Sequence, residues 1–294
     1  MKKDKLVLAV LFLMSLAVAA QTKGIVKDSI SGKPIPYVNI WVENENIGTT
    51  AEENGEFLIH SQEANKMLVF SALGYEKKRI SISKAASVFL KPIAFQLDEL
   101  VISKRYETRT IEIGDTGSAI FQAFDNGPRI DTKFFPYLTS YKRTKYIKQV
   151  AIATDSRIDE AFFKIHFYSV APNGFPGEEL LSKDFVVSVN RGLKETKFNV
   201  TKFNLRMPKN GIFVGFEKLI VEKNKQEKEL LDANTNSTRI QKSYYPFVMY
   251  NTVERDFFYT FSGGKWNKQI SEEKGNGSNK IRIYEPAINL ILTN

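Results

Sequence analysis

The feature that most constrains this chain is a series of short segments in which apolar and polar residues alternate with a period of two. In the clearest segment, one face consists of Val38, Ile40 and Val42. The opposite face consists of Tyr37, Asn39 and Trp41. Such alternation is typical of a β-strand with one buried face, because successive side chains point to opposite sides of a sheet. We therefore predict a strand here, with Trp41 directed away from the apolar face.

Turn residues separate this strand from several others between Gly24 and Leu90. The turns are marked by Gly32-Lys33-Pro34, by Asn54-Gly55 and by Gly74-Tyr75. Glycine permits positive φ and proline interrupts strand pairing, so these positions end one strand before the next begins. Six or seven short strands without a helical pattern predict a small β-sandwich.

The same residues carry a resemblance to a known family. The positions concerned are Gly24, Asp28, Gly32, Pro34, Pro36, Gly48, Asn54, Gly55, Phe57, Gly74 and Tyr75. In their order and spacing, residues 21–102 resemble the carboxypeptidase regulatory-like domain, which also precedes many TonB-dependent receptors. Residues 95–102 resemble the end of the receptor-associated version. The resemblance implies a small immunoglobulin- or transthyretin-like β-sandwich, and our leading hypothesis is that it serves as a non-catalytic folding and docking module.

The remainder of the chain is predicted to form a second, larger domain. Residues 103–127 are polar and charged, which predicts a linker with one short helix near 118–124. Residues 128–294 then show a further set of alternating segments, which predicts an antiparallel, jelly-roll-like β-sandwich of unknown role. Within it, residues 222–243 are polar, so an exposed loop or a hairpin is expected there. The predicted fold class is therefore all-β.

The first 20 residues have the pattern of a signal peptide. Lys2, Lys3 and Lys5 precede an apolar run at 6–18, and Ala17 to Ala20 supply the small residues of a cleavage site. This pattern predicts export, with Gln21 as the new N-terminus; an uncleaved anchor is the alternative. No other apolar run approaches the length of a membrane span, so no transmembrane segment is expected in the mature chain.

Composition excludes several kinds of chemistry. The chain has no cysteine, which excludes disulfides, thiolate metal ligands and a cysteine nucleophile. The formal charge of +9 favours anionic surfaces, but basic residues do not form a stripe interleaved with aromatics. We therefore expect no nucleic-acid binding. We find no glycine-rich phosphate loop and no nucleophile elbow, and we predict no cofactor.

A zinc peptidase site is the one enzymatic alternative with named residues. His60 and Glu63 have the spacing His-x-x-Glu, and His166 is the only other histidine. Two histidines and one carboxylate would leave an open zinc position. However, the two histidines belong to strands of different predicted domains, and no α/β pattern surrounds them. We reject this site, predict no catalytic or metal-binding residue, and interpret both histidines as solvent-facing.

Aromatic residues are the better candidates for ligand contacts. Trp266 lies beside the glycine-rich turn at 263–264, Tyr244 and Tyr245 form a pair, and Trp41 lies off the apolar face of its strand. Core packing or an interdomain contact is the more common role of such residues. The leading interpretation is an exported envelope protein with a non-catalytic binding or scaffolding role. A glycan-binding accessory protein is the alternative, and a hydrolase is the third.

The signal-peptide interpretation gives a direct prediction. The chain recovered from the envelope of an expressing bacterium should have the mass of a protein that begins at Gln21, because cleavage follows the small residues at 17–20. Intact-mass spectrometry of the envelope fraction measures this. Recovery of the uncleaved chain in that fraction would favour the anchor instead.

Overall fold

A computed structural model describes residues 21–61, 65–93, 107–114, 122–124, 127–231, 237–255, 257–270 and 283–294. Within these ranges the chain forms two β-sandwiches joined along one broad contact. The regular secondary structure consists of strands and four short 3-10 helices. The predicted all-β fold is therefore confirmed.

The first sandwich contains two small sheets. Its strands are β1 (Gln21–Asp28), β2 (Asn39–Val42), β3 (Gly48–Thr50), β4 (Glu56–His60), β5 (Met67–Ser71), β6 (Lys78–Ser81) and β7 (Ser87–Leu90). One sheet has the order β4-β1-β7 and the other β3-β2-β5-β6. Strands β1 and β7 are parallel, whereas the other pairs are antiparallel. The inward residues of each strand fill the space between the sheets, as their alternation predicts.

Several residues of the family pattern hold the turns of this sandwich. Asp28 Oδ1 accepts hydrogen bonds from the backbone N–H groups of Ile30 and Ser31, and its Oδ2 accepts one from the Tyr75 hydroxyl at 3.0 Å. Gly55 has a φ of 77°, and a Cβ at this position would lie 2.7 Å from the Val26 carbonyl oxygen. Side chains larger than hydrogen are therefore excluded at this turn.

The second sandwich contains two larger sheets. Its strands are β8 (Thr110–Ile113), β9 (Gln122–Ala123), β10 (Ile130–Phe135), β11 (Tyr146–Ser156), β12 (Ala161–Val170), β13 (Pro176–Glu179), β14 (Phe185–Val189), β15 (Gly192–Asn199), β16 (Ile212–Lys218), β17 (Lys225–Leu231), β18 (Thr238–Tyr244), β19 (Phe247–Val253), β20 (Phe257–Ser262), β21 (Lys265–Ile270), β22 (Ile283–Pro286) and β23 (Ile288–Thr293). The 3-10 helices are η1 (Ile82–Lys84), η2 (Thr139–Arg143), η3 (Thr201–Phe203) and η4 (Glu222–Asn224).

The two larger sheets face each other across one apolar core. The first, here called the docking sheet, has the order β13-β12-β16-β10-β20-β21, with β14 beside β12. The second has the order β22-β19-β11-β23-β8, with β15 beside β11 and β9 beside β19. Their inward residues include Phe163, Ile165 and Phe167 from β12 and Val214 and Phe216 from β16, all at most 2% exposed.

Two polar segments differ from, or refine, the sequence-based expectations. The expected linker at 103–127 contributes β8, which pairs with β23, and β9, which pairs with β19. The short helix expected near 118–124 is wrong at residues 122 and 123, because these form β9. Residues 118–121 lie outside the described residues. The segment 222–243 forms a hairpin, in which β17 and β18 make a separate two-stranded sheet.

The first sandwich packs on the docking sheet through the outward face of β2. Trp41 is 3% exposed, and its ring meets Phe261 edge to face at a centroid distance of 6.2 Å. Ile130 completes this apolar contact. Two hydrogen bonds run beside it: Ile220 N donates to Thr50 Oγ1 at 3.1 Å, and Glu222 N donates to Glu52 Oε1 at 2.9 Å. Trp41 therefore contacts the second sandwich, which was one of the two roles expected for it.

The described residues contain no helix that is both long and apolar enough to cross a membrane.

Trp41→Ala should lower the free energy of unfolding by about 3–5 kcal/mol, because it removes a large buried side chain and leaves a cavity between the sandwiches. Urea denaturation measures this loss. Ile30→Ala is the control, since Ile30 is 82% exposed and its truncation should change stability by less than about 0.5 kcal/mol. A Trp41→Ala variant as stable as the control would contradict the packed interface.

Candidate binding cavity between the two sandwiches

Charged side chains lie on the outward face of the docking sheet, where the first sandwich covers it. On β12 the residues between the core positions are Lys164 and His166, and on β16 the outward residue is Glu217. His166 faces away from the core, as its alternation with Phe163, Ile165 and Phe167 predicts. Even so, Lys164, His166 and Glu217 are at most 7% exposed. The interpretation of His166 as solvent-facing is therefore wrong.

His166 lies between two carboxylates. Its Nδ1 is 2.8 Å from Glu179 Oε2, and its Nε2 is 2.6 Å from Glu217 Oε2. Burial alone would lower the pKa of His166, but the hydrogen bonds and charges of the two carboxylates outweigh it and raise the pKa to about 10. Both ring nitrogens therefore carry protons at neutral pH, and His166 is a fixed cation rather than a general base.

Lys164 connects this cluster to the first sandwich. Its Nζ donates a hydrogen bond to the Tyr37 carbonyl oxygen at 2.7 Å and lies 3.0 Å from Asp184 Oδ2. Burial alone would raise the pKa of Glu217, but the Lys164 and His166 cations lower it, and Asn39 of β2 contributes a hydrogen bond. Strand β2 and the loop before it are thus positioned by charged side chains from the second sandwich.

A cavity of about 550 Å³ opens beside these charges. The first sandwich contributes a wall formed by residues 71–75 with Asn39 and Lys77. The second contributes aromatic rings, in which Trp266 contacts Tyr168 at 5.1 Å and Phe261 at 5.2 Å between centroids. A volume of this size is typical of small-molecule sites. The cavity therefore combines an aromatic wall with polar groups from both sandwiches.

Two groups in the cavity wall have unused binding capacity. Asp184 Oδ1 is buried and has no hydrogen-bond partner among the described residues. Lys77 Nζ lies 5.3 Å from the centroid of the Phe261 ring, a cation–π distance. The cavity thus offers a carboxylate acceptor and an ammonium donor around the aromatic surface of Trp266.

A second group of buried charges lies inside the second sandwich and does not face the cavity. Lys133 Nζ is 3.1 Å from Glu285 Oε1, and Arg255 is 3.3 Å from Glu285 Oε2. Nearby, the Tyr250 hydroxyl donates to Asp131 Oδ2 at 2.6 Å. These groups pair with one another between the sheets. Because each ion would be costly to bury alone, we interpret them as a mutually dependent structural network.

The zinc arrangement tested above is not assembled in the described part of the chain. His60 is exposed at the end of β4, whereas His166 has both ring nitrogens bonded to carboxylates. Glu63 lies outside the described residues. Among the residues that the structure describes, no group of three or more histidine, aspartate or glutamate side chains is arranged to hold a metal ion.

The four aromatic candidates are placed differently. Trp266 is partly exposed and lines the cavity, whereas Trp41 is buried in the contact between the sandwiches. Tyr245 is 3% exposed and belongs to the core of the second sandwich. Tyr244 is half-buried at the end of β18. Trp266 therefore stays a candidate ligand contact, while Trp41 and Tyr245 have packing roles.

Sequence reasoning missed the charged cluster. Glu179 and Glu217 are 13 and 51 residues from His166, so no local motif connects them. The available signal was the unusual run of charged residues on strands that are otherwise strongly apolar, at Lys164, His166 and Glu217.

Fold and cavity define a two-sandwich all-β protein. Residues 22–102 match the family model of the CarboxypepD_reg-like domain, so the first sandwich is a domain of this family. The chain is 31% identical over 110 residues to a TonB-dependent receptor of Formosa agariphila, a match covering 34% of this chain and 11% of the receptor. It is 31% identical over 99 residues to the TonB-dependent receptor SusC of Bacteroides thetaiotaomicron, covering 33% and 10%.

The chain thus spans about a tenth of the length of these curated relatives. Among solved structures, that of the infectious bursal disease virus Gx strain is 9% identical, and the match covers 93% of this chain and 65% of the viral chain. Its TM-score of 0.25 is too low for a comparison of folds.

His166→Gln should lower the free energy of unfolding by about 3–5 kcal/mol, because it leaves two buried carboxylates without their shared cation. Urea denaturation at pH 6 measures the loss. His60→Gln is the matched control: His60 is exposed, and this variant should match the wild type within about 0.5 kcal/mol.

A comparison of the wild type with His166→Gln also tests the charge of His166. Its folded-state pKa of about 10 exceeds the ordinary value of 6.5, so its stabilisation is complete below pH 6.5. The stabilisation should decline above that pH and be lost once the pH passes about 10. The difference in stability between wild type and His166→Gln, measured at several pH values, should follow this course. A difference unchanged at pH 10.5 would contradict a charged His166.

Proposed function

We propose that this chain is a non-catalytic binding protein of the bacterial envelope, with its ligand site in the cavity between the sandwiches. The observation that carries this proposal is the cavity itself. It is formed jointly by the CarboxypepD_reg-like domain and the docking sheet, and Trp266, Asp184 and Lys77 line it. The similarity of the first sandwich to segments of TonB-dependent receptors supports an envelope location.

A binding role agrees with the chemistry of the cavity wall. His166 is held as a cation by two carboxylates and cannot accept a proton near neutral pH. Lys164 is equally engaged, with Asp184 and with the Tyr37 carbonyl oxygen. Lys164 thereby links the two sandwiches, while the aromatic rings and Asp184 Oδ1 are left to contact a ligand.

The first experiment tests for a protein ligand. The chain has no native cysteine, so a single cysteine introduced by Glu178→Cys at the exposed edge of the cavity can carry a photo-crosslinker. Irradiation in the native envelope should give a discrete adduct. Ile30→Cys, at an exposed position that does not line the cavity, should not give that adduct.

Glycan binding is the second candidate, and the presence of both Trp266 and Asp184 in the cavity wall favours it. An aromatic face can stack on a sugar ring, and a buried carboxylate oxygen can accept hydrogen bonds from sugar hydroxyls. The ligand would then be a saccharide of one to three units, which fits a cavity of about 550 Å³.

An oligosaccharide array followed by titration calorimetry tests this candidate. Trp266→Ala should weaken binding of any positive saccharide at least about fivefold, the effect of truncating a central contact residue. Ile270→Ala, on the same strand but 65% exposed and outside the cavity, should leave the affinity unchanged. Absence of both a glycan and an adduct at position 178 would contradict the proposed site. A hydrolytic activity of the purified chain that is lost in His166→Gln would contradict the non-catalytic role.

A further inference from the structure

The hairpin of β17 and β18 has features of an association surface that is separate from the cavity. Its two strands form a sheet of their own, and β18 is hydrogen-bonded to β17 alone in the described part of the chain. Leu231 and Ile240 are 67% and 58% exposed. They lie on one face of the ribbon, because Glu229 pairs with Ile240 and Leu231 is two residues further along the same strand.

An isolated two-stranded ribbon is only marginally stable in water, and each of its edges presents unpaired backbone groups. Proteins often blunt such edges with charges or proline. Strand β18 contains no proline, and its seven residues include two charges, Arg239 and Lys242. Strand β17 carries four charges in its seven residues, so the two edges of this ribbon differ in how well they could pair with another strand.

The occupant that fits the β18 edge is a second copy of the same strand. Antiparallel self-pairing centred on Gln241 places Ile240 opposite Lys242 of the other copy, and Arg239 opposite Ser243. Thr238 then faces Tyr244. No like charges are opposed in this register, and the long apolar stem of lysine can cover isoleucine.

The β17 edge does not share this property. Self-pairing centred on its middle residue places Lys228 opposite Lys228, and Glu227 opposite Glu229 on both sides of the axis. Like charges directly opposite each other destabilise a pair of strands. In the register that pairs all seven residues, charge complementarity therefore favours β18 over β17.

We propose that this protein forms a symmetric homodimer in which the β18 strands of two copies pair antiparallel about Gln241 and join the two ribbons into one four-stranded sheet. The proposal does not depend on what the cavity binds. A two-stranded ribbon is marginally stable by itself, and pairing of two ribbons gives the four strands of a more stable sheet, with Ile240 and Leu231 on one face among charged side chains.

Cysteine cross-linking tests the register, because the natural chain has no cysteine. Gln241→Cys places two thiols at the axis, where opposed Cα atoms of antiparallel strands are about 4.5–5.5 Å apart, a distance that a disulfide can span. Mild oxidation should give a covalent dimer. Lys228→Cys is the matched control, since Lys228 lies directly across the ribbon from Gln241, and it should remain monomeric on a non-reducing gel.

A charge substitution separates dimerisation from folding of the ribbon. Gln241→Glu should strengthen the hairpin, because the new carboxylate faces Lys228 of the same chain, while it repels its symmetry mate across the axis. Sedimentation equilibrium of the full chain should show a wild-type dimer and an association weakened about two- to fivefold in Gln241→Glu. Added salt should reduce this difference.

Three results would overturn the proposal. These are a wild-type chain that stays monomeric at several hundred micromolar, a disulfide that forms as readily at position 228 as at 241, and a Gln241→Glu variant that associates as strongly as the wild type.

Discussion

A cluster of buried charges on the docking sheet makes the polar contacts to the first sandwich: Lys164 donates to the Tyr37 carbonyl oxygen, and Glu217 accepts a hydrogen bond from Asn39. His166, Glu179 and Glu217 are all largely removed from water, so each charge is tolerated only because the others compensate it. An arrangement of this kind is sensitive to distance and adds directional hydrogen bonds to an otherwise apolar surface. The cluster therefore specifies how β2 lies on the docking sheet, whereas Trp41 supplies the apolar area that holds it there.

The cavity follows from this mode of packing. Strand β2 covers part of the outward face of the docking sheet, and the turn at 71–75 lines the cavity beside it, with Leu73 packed against the apolar core of the second sandwich. The space between them is lined by groups whose positions are already fixed by the interface. Because neither sandwich forms the cavity alone, any ligand that contacts both walls would favour the docked arrangement over a separated one.

Much of this architecture was predictable from local pattern. The alternation in 37–42 gave the buried and outward faces of β2, and the glycine and proline positions separated the strands of the first sandwich. The pattern was less informative in 103–127, where β8 and β9 are strands because β23 and β19 are available to pair with them. Pairing partners so distant in sequence leave no local signal in a polar segment.

Burial of polar residues was the least predictable property. Alternation correctly assigned His166 to the outward side of β12, but an outward side chain is exposed only if nothing packs on that face. The same reasoning explains why Tyr245 was a candidate ligand contact. The sequence shows it only as a neighbour of Tyr244, whereas in the structure it belongs to the core of the second sandwich. Position within a strand is a local property, whereas coverage of a sheet is decided by elements encoded elsewhere in the chain.

The pairing of β8 with β23 has a consequence for the order of events during synthesis. Leu290 pairs with Ile113, and β23 also pairs with β11, so this strand occupies an internal position in its sheet. A nascent chain that has emerged only as far as β22 lacks the strand that joins β11 to β8, and the second sandwich cannot close. The strands of the first sandwich pair with one another within residues 21–90, so their pairing does not wait for β23.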